Sequence, residues 1–180
     1  MIRRRIASIG TALRTFPDAR GWRKSLGLFL LFALGALPVG FGTGFLSLRP
    51  LAGDAVVLAT LPLLLLLKPA LLEETVFRAA LIPHPAEGAS PSRQWTIAAL
   101  SLALFVGMHP VNGYFFHRRE LELFVNHTFL SLSLLLGIVC TAAYVMTGSL
   151  WPSVLMHWAA VTVWIELLGG AQWLGISALR

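Results

Sequence analysis

The sequence predicts an all-α fold, a polytopic transmembrane helix bundle of about five spans preceded by a basic amphipathic N-terminal arm. Three observations predict it: 57% of the residues are hydrophobic, only 12% are charged, and mean hydropathy is +0.76. A soluble domain carries roughly a quarter charged residues, so the solvent to reason with is the bilayer, where helices satisfy their own backbone. The 180 residues suit one domain, divided into a cytoplasmic arm (1–24) and a transmembrane domain (25–180).

The arm holds seven of the 14 Lys and Arg residues: Arg3, Arg4, Arg5, Arg14, Arg20, Arg23 and Lys24, opposed only by Asp18. It abuts an apolar span, so the positive-inside rule accounts for it and places the N-terminus in the cytoplasm. No nucleic-acid partner is expected. Ile2, Ile6, Ile9, Leu13 and Phe16 recur at helical spacing among the arginines. That pattern suits a short helix on an anionic leaflet, ended by Pro17.

Residues 25–48 are uncharged and long enough to span, ending near Arg49-Pro50. Pro38, Gly40, Gly42 and Gly44 loosen the second half. Residues 54–83 form the second segment, with Pro69 expected to bend it just before two glutamates. A third segment, 94–109, is short, because Pro110 biases His109 away from helical geometry. It either spans or re-enters. A polar loop follows over 110–122. The fourth segment (123–147) and the fifth, which starts at Leu150-Trp151-Pro152 and ends near Gly169-Gly170, are joined by the tight turn Thr147-Gly148-Ser149 and so lie antiparallel. Trp151, Trp164 and Trp173 are expected at the membrane interfaces. Cys140 is the only cysteine, which leaves no intrachain disulfide and no thiolate metal site.

Charges inside these segments stand out. A charged side chain at the bilayer centre costs roughly 2.5–3.5 kcal/mol on insertion scales, yet Glu73, Glu74 and Arg78 fall within six residues. Glu74 and Arg78, four apart, share a helical face and are expected to pair. Glu73 is rotated by about 100° and needs another partner. Lys68 sits on a different face and can snorkel. His109 and His157 are the candidates to meet Glu73 in the bundle interior. A carboxylate held out of bulk water is a stronger base, and imidazoles hold water or donate to a developing oxyanion. Such a set suits amide hydrolysis without a covalent intermediate. The plainer readings are a structural ion pair and interhelical histidine hydrogen bonds. Glu and His can also bind metal, but there is no His-Glu-x-x-His helix. Five short spans without a repeat argue against a transporter.

Glu73-Glu74-x-x-x-Arg78, Phe105-x-x-x-His109 and His157, with flanks Pro69 to Arg78 and Thr147-Gly-Ser-Leu-Trp-Pro-Ser-Val-Leu-Met-His157, resemble the motifs of the CAAX-protease and bacteriocin-processing (CPBP or Abi) family of glutamate-dependent intramembrane proteases. The resemblance covers about residues 65–170. It implies a helix bundle in a bacterial plasma membrane that cleaves a peptide or protein tail without metal or cofactor. By that resemblance Glu73 activates water, His109 assists it or holds the water, and His157 stabilises the oxyanion. Glu74 and Arg78 position the motif and help bind the substrate chain. Two positions depart from the pattern. Val161 stands where the family usually has Asn or Asp, and Ala79 where glycine usually follows the arginine. Thr162, Asn112, Asn126 and Tyr144 are polar residues available to replace the missing donor. The alternative is a non-catalytic membrane scaffold or chaperone that keeps the fold.

Overall fold

The computed structural model describes residues 2–176, with side chains from Arg5 onward. The Met1 end of the arm, the side chains of Arg3 and Arg4, and residues 177–180 of the expected membrane domain lie outside it. The described chain is helical throughout, with a single isolated parallel bridge between Arg49 and Leu168 and no strand.

Helix α1 (Ile2–Arg14) forms as its apolar periodicity predicts, but it docks on protein. Ala12 is fully buried with Ala79, Ile82, Tyr144, Leu150 and Val154. The Leu150 amide donates to the Ala12 carbonyl and the Trp151 indole to that of Leu13. Ser8 and Arg5 both reach Glu87. Ile6 and Phe16 remain 64% and 68% exposed. Ile9 and Leu13 pack against the same cluster, which takes part of the apolar stripe out of water as a leaflet would.

Helix α2 (Ala19–Gly42) starts earlier than the uncharged stretch, because Asp18 caps it by accepting from the Gly21 amide. It also ends earlier, at Gly42 rather than near Arg49-Pro50. Pro38 stays inside the helix, and the glycines provide the stop. Gly44 takes a left-handed φ of +72°, and the chain folds back so that the Leu46 amide donates to the Gly40 carbonyl. Leu46 then fills the space a Cβ on Gly40 would need. Residues 47–51 run back along residues 166–168, with amides of Ser47, Arg49 and Leu51 bonded to the carbonyls of Leu168, Leu167 and Glu166.

The second segment breaks where expected. α3 (Ala55–Leu65) leads into a wide π-type turn over Leu66–Leu71, inside which Lys68 is extended (φ −143°, ψ 118°). Pro69 has no N–H to continue the ladder. α4 (Leu72–Glu74), holding the two glutamates, is a single turn. A second π-type stretch, Thr75–Ala80, follows it. Such turns are rare and recur at functional sites.

Helix α5 corrects the reading of the third segment. It runs Pro91–Phe115, passing through Pro110, and is long and apolar enough to cross a membrane. The His109 ring explains part of this: its Nδ1 bonds to the Phe105 carbonyl at 2.9 Å, adding a hydrogen bond in the turn that proline weakens. The polar loop is correspondingly shorter, and α6 (Leu121–Phe124) interrupts it. α7 (His127–Thr147) is capped by Asn126. Gly148, at φ +65°, turns the chain into α8 (Trp151–Leu167), which packs antiparallel against α7. α9 (Gly170–Trp173) closes the described chain.

Among the described residues four helical stretches are long and apolar enough to cross a membrane: Ala19–Gly42, Ala55–Glu87, Pro91–Phe115 and His127–Thr147. The 17-residue α8 is the fifth bundle member. Of the expected interface tryptophans, Trp164 and Trp173 pack on Phe45 inside the fold. Trp151 stacks on Phe16.

Candidate active site

The Lys68 break and the two π-type stretches turn the second segment so that both glutamates face α8 and the bundle interior. Glu74 and Arg78 pair as their spacing predicts, Oε1 to Nη1 at 3.1 Å, each side chain 1% exposed. Arg78 does more than pair. Its Nη2 donates to the Gly137 carbonyl of α7 at 3.1 Å, and its guanidinium lies 4.5 Å from the Phe105 ring centre. One cation thereby fastens three helices, α4, α5 and α7. Ser101 on α5 adds a hydrogen bond to the Phe77 carbonyl.

His157 on α8 stands between the glutamates. Its Nδ1 is 2.8 Å from Glu74 Oε1, and its Nε2 is 3.9 Å from Glu73 Oε2. An ionised carboxylate only accepts, so Nδ1 carries the proton toward Glu74. His109 is fixed by the same logic: the Phe105 carbonyl only accepts, so Nδ1–H points at it, leaving Nε2 of the neutral ring as an acceptor. The Phe105 ring sits edge-on to both imidazoles, with centroids at 5.1 Å to His109 and 6.1 Å to His157. Phe129 of α7 closes on His109 from the other side.

Glu73, His109 and His157 line one cavity of about 680 Å³, while Glu74 and Arg78 lie behind its wall. The rest of the lining is mostly apolar and comes from α2, α5, α7 and α8, with the folded-back Phe45 and Leu46. This volume is that of a typical ligand site. Glu73 is the more open carboxylate, with its side chain 20% exposed. Among the described residues no three His, Cys, Asp or Glu side chains group as metal ligands.

Val161, one turn after His157, lines the cavity. Of the four polar residues considered as replacements for its missing donor, only Asn112 does so. Asn126 caps α7, Tyr144 is buried against His84 near α1, and the Thr162 hydroxyl is buried without a partner. Among the lining residues to which the sequence assigns no place in the site are Lys68, expected to snorkel, and Phe129, which carries no polar signal.

Residues 54–163 match the family model described as type II CAAX prenyl endopeptidase Rce1-like. No curated protein and no solved structure matches the chain.

Proposed function

The chain belongs to the Rce1-like family of type II CAAX prenyl endopeptidases, and on that premise we propose that it hydrolyses a peptide bond inside the membrane with Glu73 as the base. The observation that carries this reading is the meeting of Glu73, His109 and His157 on one cavity, with the buried Glu74–Arg78 pair as its support.

A water held between Glu73 and the acceptor Nε2 of His109 loses a proton to Glu73 as it adds to the scissile carbonyl. The developing oxyanion accepts from the Nε2–H of His157, whose ring Glu74 holds at Nδ1. Glu73 then passes its proton to the departing amine, so nothing is consumed but water. No covalent intermediate, metal or cofactor takes part in this scheme. Glu74 orients His157, and Arg78 holds Glu74. The substrate is a peptide or protein tail that enters from the bilayer, where the apolar lining favours an extended, lipid-associated segment. The N-terminal arm lies on the cytoplasmic side of a bacterial plasma membrane.

The test is cleavage of a broad peptide set by protein in proteoliposomes. Wild type turns over at least one tail, and Glu73→Gln and His109→Ala do not. Full activity in either variant, or a wild type that cleaves none, removes the proposal. Adding a chelator to protein purified without one checks that no metal is needed.

A second reading has its own observation. Val161 puts a hydrocarbon where a donor would meet the oxyanion, which fits a scaffold or chaperone that keeps the fold without the chemistry. A Glu73→Gln chain that fully rescues a deletion strain supports that reading against the enzyme.

A further inference from the structure

The cavity belongs to one end of the bundle. Each long helix that lines it does so from mid-length toward that same end: α2 over 32–37, α5 over 105–112, α7 over 129–136 and α8 over 157–165. α2 and α7 run antiparallel, with Gly21 against Thr147 and Gly35 against Leu135, so the end of α2 and the start of α7 lie together, away from α1. There the lining reaches the surface: Phe116 and Leu37 both line the cavity and are 76% and 41% exposed. The opposite end is shut. α1 lies on Ile82, Leu150 and Val154, Arg5 and Ser8 hold Glu87, and the His84 ring bonds to the Gly148 carbonyl. Among the described residues none of α1, of 80–95 or of 143–152 reaches the lining. The shut end is also the basic one. It carries the arginines and Lys24 of the arm together with Arg93, against Arg49, Arg118 and Arg119 at the open end. An excess of Lys and Arg marks the cytoplasmic side, so the open end faces away from the cytoplasm.

We propose that the site is fed from the non-cytoplasmic face of the membrane, and that its substrate is a tail of an exported or outward-facing, membrane-anchored polypeptide. This rests on the protease reading, and it adds the side from which substrate comes. Leu37, exposed on α2, opens the wall toward lipid, and the apolar lining continues the surroundings of an anchored segment. Phe116 and the half-exposed His117 form the edge where an extended chain meets water. A tail on the cytoplasmic side would have to pass between α1 and the start of α8. That gap is closed by the Leu150 amide on the Ala12 carbonyl and the Trp151 indole on the Leu13 carbonyl.

The experiment labels single cysteines with a membrane-impermeant maleimide in sealed vesicles of both orientations. Wild type, whose Cys140 is fully buried, is the blank. Phe116→Cys at the mouth and Ser133→Cys on the cavity wall should react in right-side-out vesicles and lose that reaction in inside-out ones. Arg20→Cys, exposed beside the arm, should do the reverse. Ser133→Cys reacting only in inside-out vesicles, or Arg20→Cys reacting in right-side-out ones, overturns the inference. So does Ser133→Cys reacting in neither, because the mouth would then not lead into the cavity. A second measurement uses a cleavable peptide extended with a run of glutamates, which cannot cross the bilayer. Right-side-out vesicles should cut it when it is added outside, and inside-out vesicles should not. Cleavage by inside-out vesicles alone overturns the inference and leaves the protease reading intact. The expected labelling in a chain that cleaves nothing would sink the protease reading and leave the side of access standing.

Discussion

His157 donates from Nδ1 to Glu74 across 2.8 Å while its Nε2 faces Glu73 at 3.9 Å. The two adjacent carboxylates therefore stand in different relations to one ring. Glu74 is buried, shared between His157 and Arg78, and closed to anything in the cavity. Glu73 is the one with access. Adjacent residues on a helix diverge by about 100°, and here that divergence separates a supporting carboxylate from a reactive one.

This division predicts different phenotypes for the two glutamates. Glu73→Gln should leave the melting temperature in detergent close to wild type and lower kcat by about 10²–10⁴-fold, the usual contribution of a positioned base. Glu74→Gln should lower both, because it weakens the hold on His157 and leaves Arg78 buried without a counter-charge. Paired melting and kinetic measurements on the two variants decide it, and the idea fails if Glu74→Gln is the thermally silent one.

Arg78→Met predicts the largest loss of stability among the site variants. Breaking a buried ion pair from one side costs about 3–5 kcal/mol, and here a hydrogen bond to Gly137 and a cation–π contact with Phe105 go as well. Unfolding in denaturing detergent measures it. Replacing both partners together, Glu74→Gln with Arg78→Met, should recover part of the loss, since no isolated charge remains.

Gly137 predicts a graded response. A Cβ there would come 2.5 Å from the Leu102 tip, 3.2 Å from Phe105 and 3.3 Å from Arg78 Nη2. The Leu102 methyl can rotate away, but the buried Phe105 and Arg78 must also give by a few tenths of an ångström, so Gly137→Ala already loses some stability. Gly137→Val cannot avoid Phe105 and Arg78 as well and should cost about 1–3 kcal/mol. Because Phe105 edges both histidines, the valine variant should also lose activity while Glu73 is untouched. A Gly137→Val protein with wild-type melting and turnover would contradict this packing.

Much of this arrangement was legible in the sequence, and the rest was hidden for identifiable reasons. The Glu74–Arg78 pair followed from i, i+4 spacing, and the break before the glutamates from Pro69. Pro110 taken alone predicts an end near His109, whereas α5 runs on to Phe115 with the His109 ring bonded to its own helix, a contact that no sequence spacing reveals. The end of α2 was misplaced because glycines that loosen a helix and glycines that stop it look the same until Leu46 is seen folding onto Gly40. For α1, periodicity showed an apolar face but not whether lipid or protein would cover it. Its chain neighbours leave Lys68 as a residue that can snorkel, and the turn of the backbone also puts this exposed side chain on the cavity, which no spacing rule shows.

Val161 is where the two functional readings part. It lines the cavity one turn after His157 and also packs against the cluster of Leu65, Ile165 and Ala171, so a polar side chain there would reach the cavity at some cost to that packing. Loss of one oxyanion donor typically costs about 10²–10³ in rate. If the chain is an enzyme working without that donor, with Asn112 on the lining as its substitute, Val161→Asn should raise kcat by up to about 10²-fold. Asn112→Ala should then matter less in the Val161→Asn background than in wild type, because the two amides serve the same oxyanion. If the chain is a scaffold, Val161→Asn changes nothing in cleavage and Asn112→Ala changes nothing in either background. Steady-state kinetics on the four proteins of this cycle separates the cases, since only a shared role gives effects that fail to add.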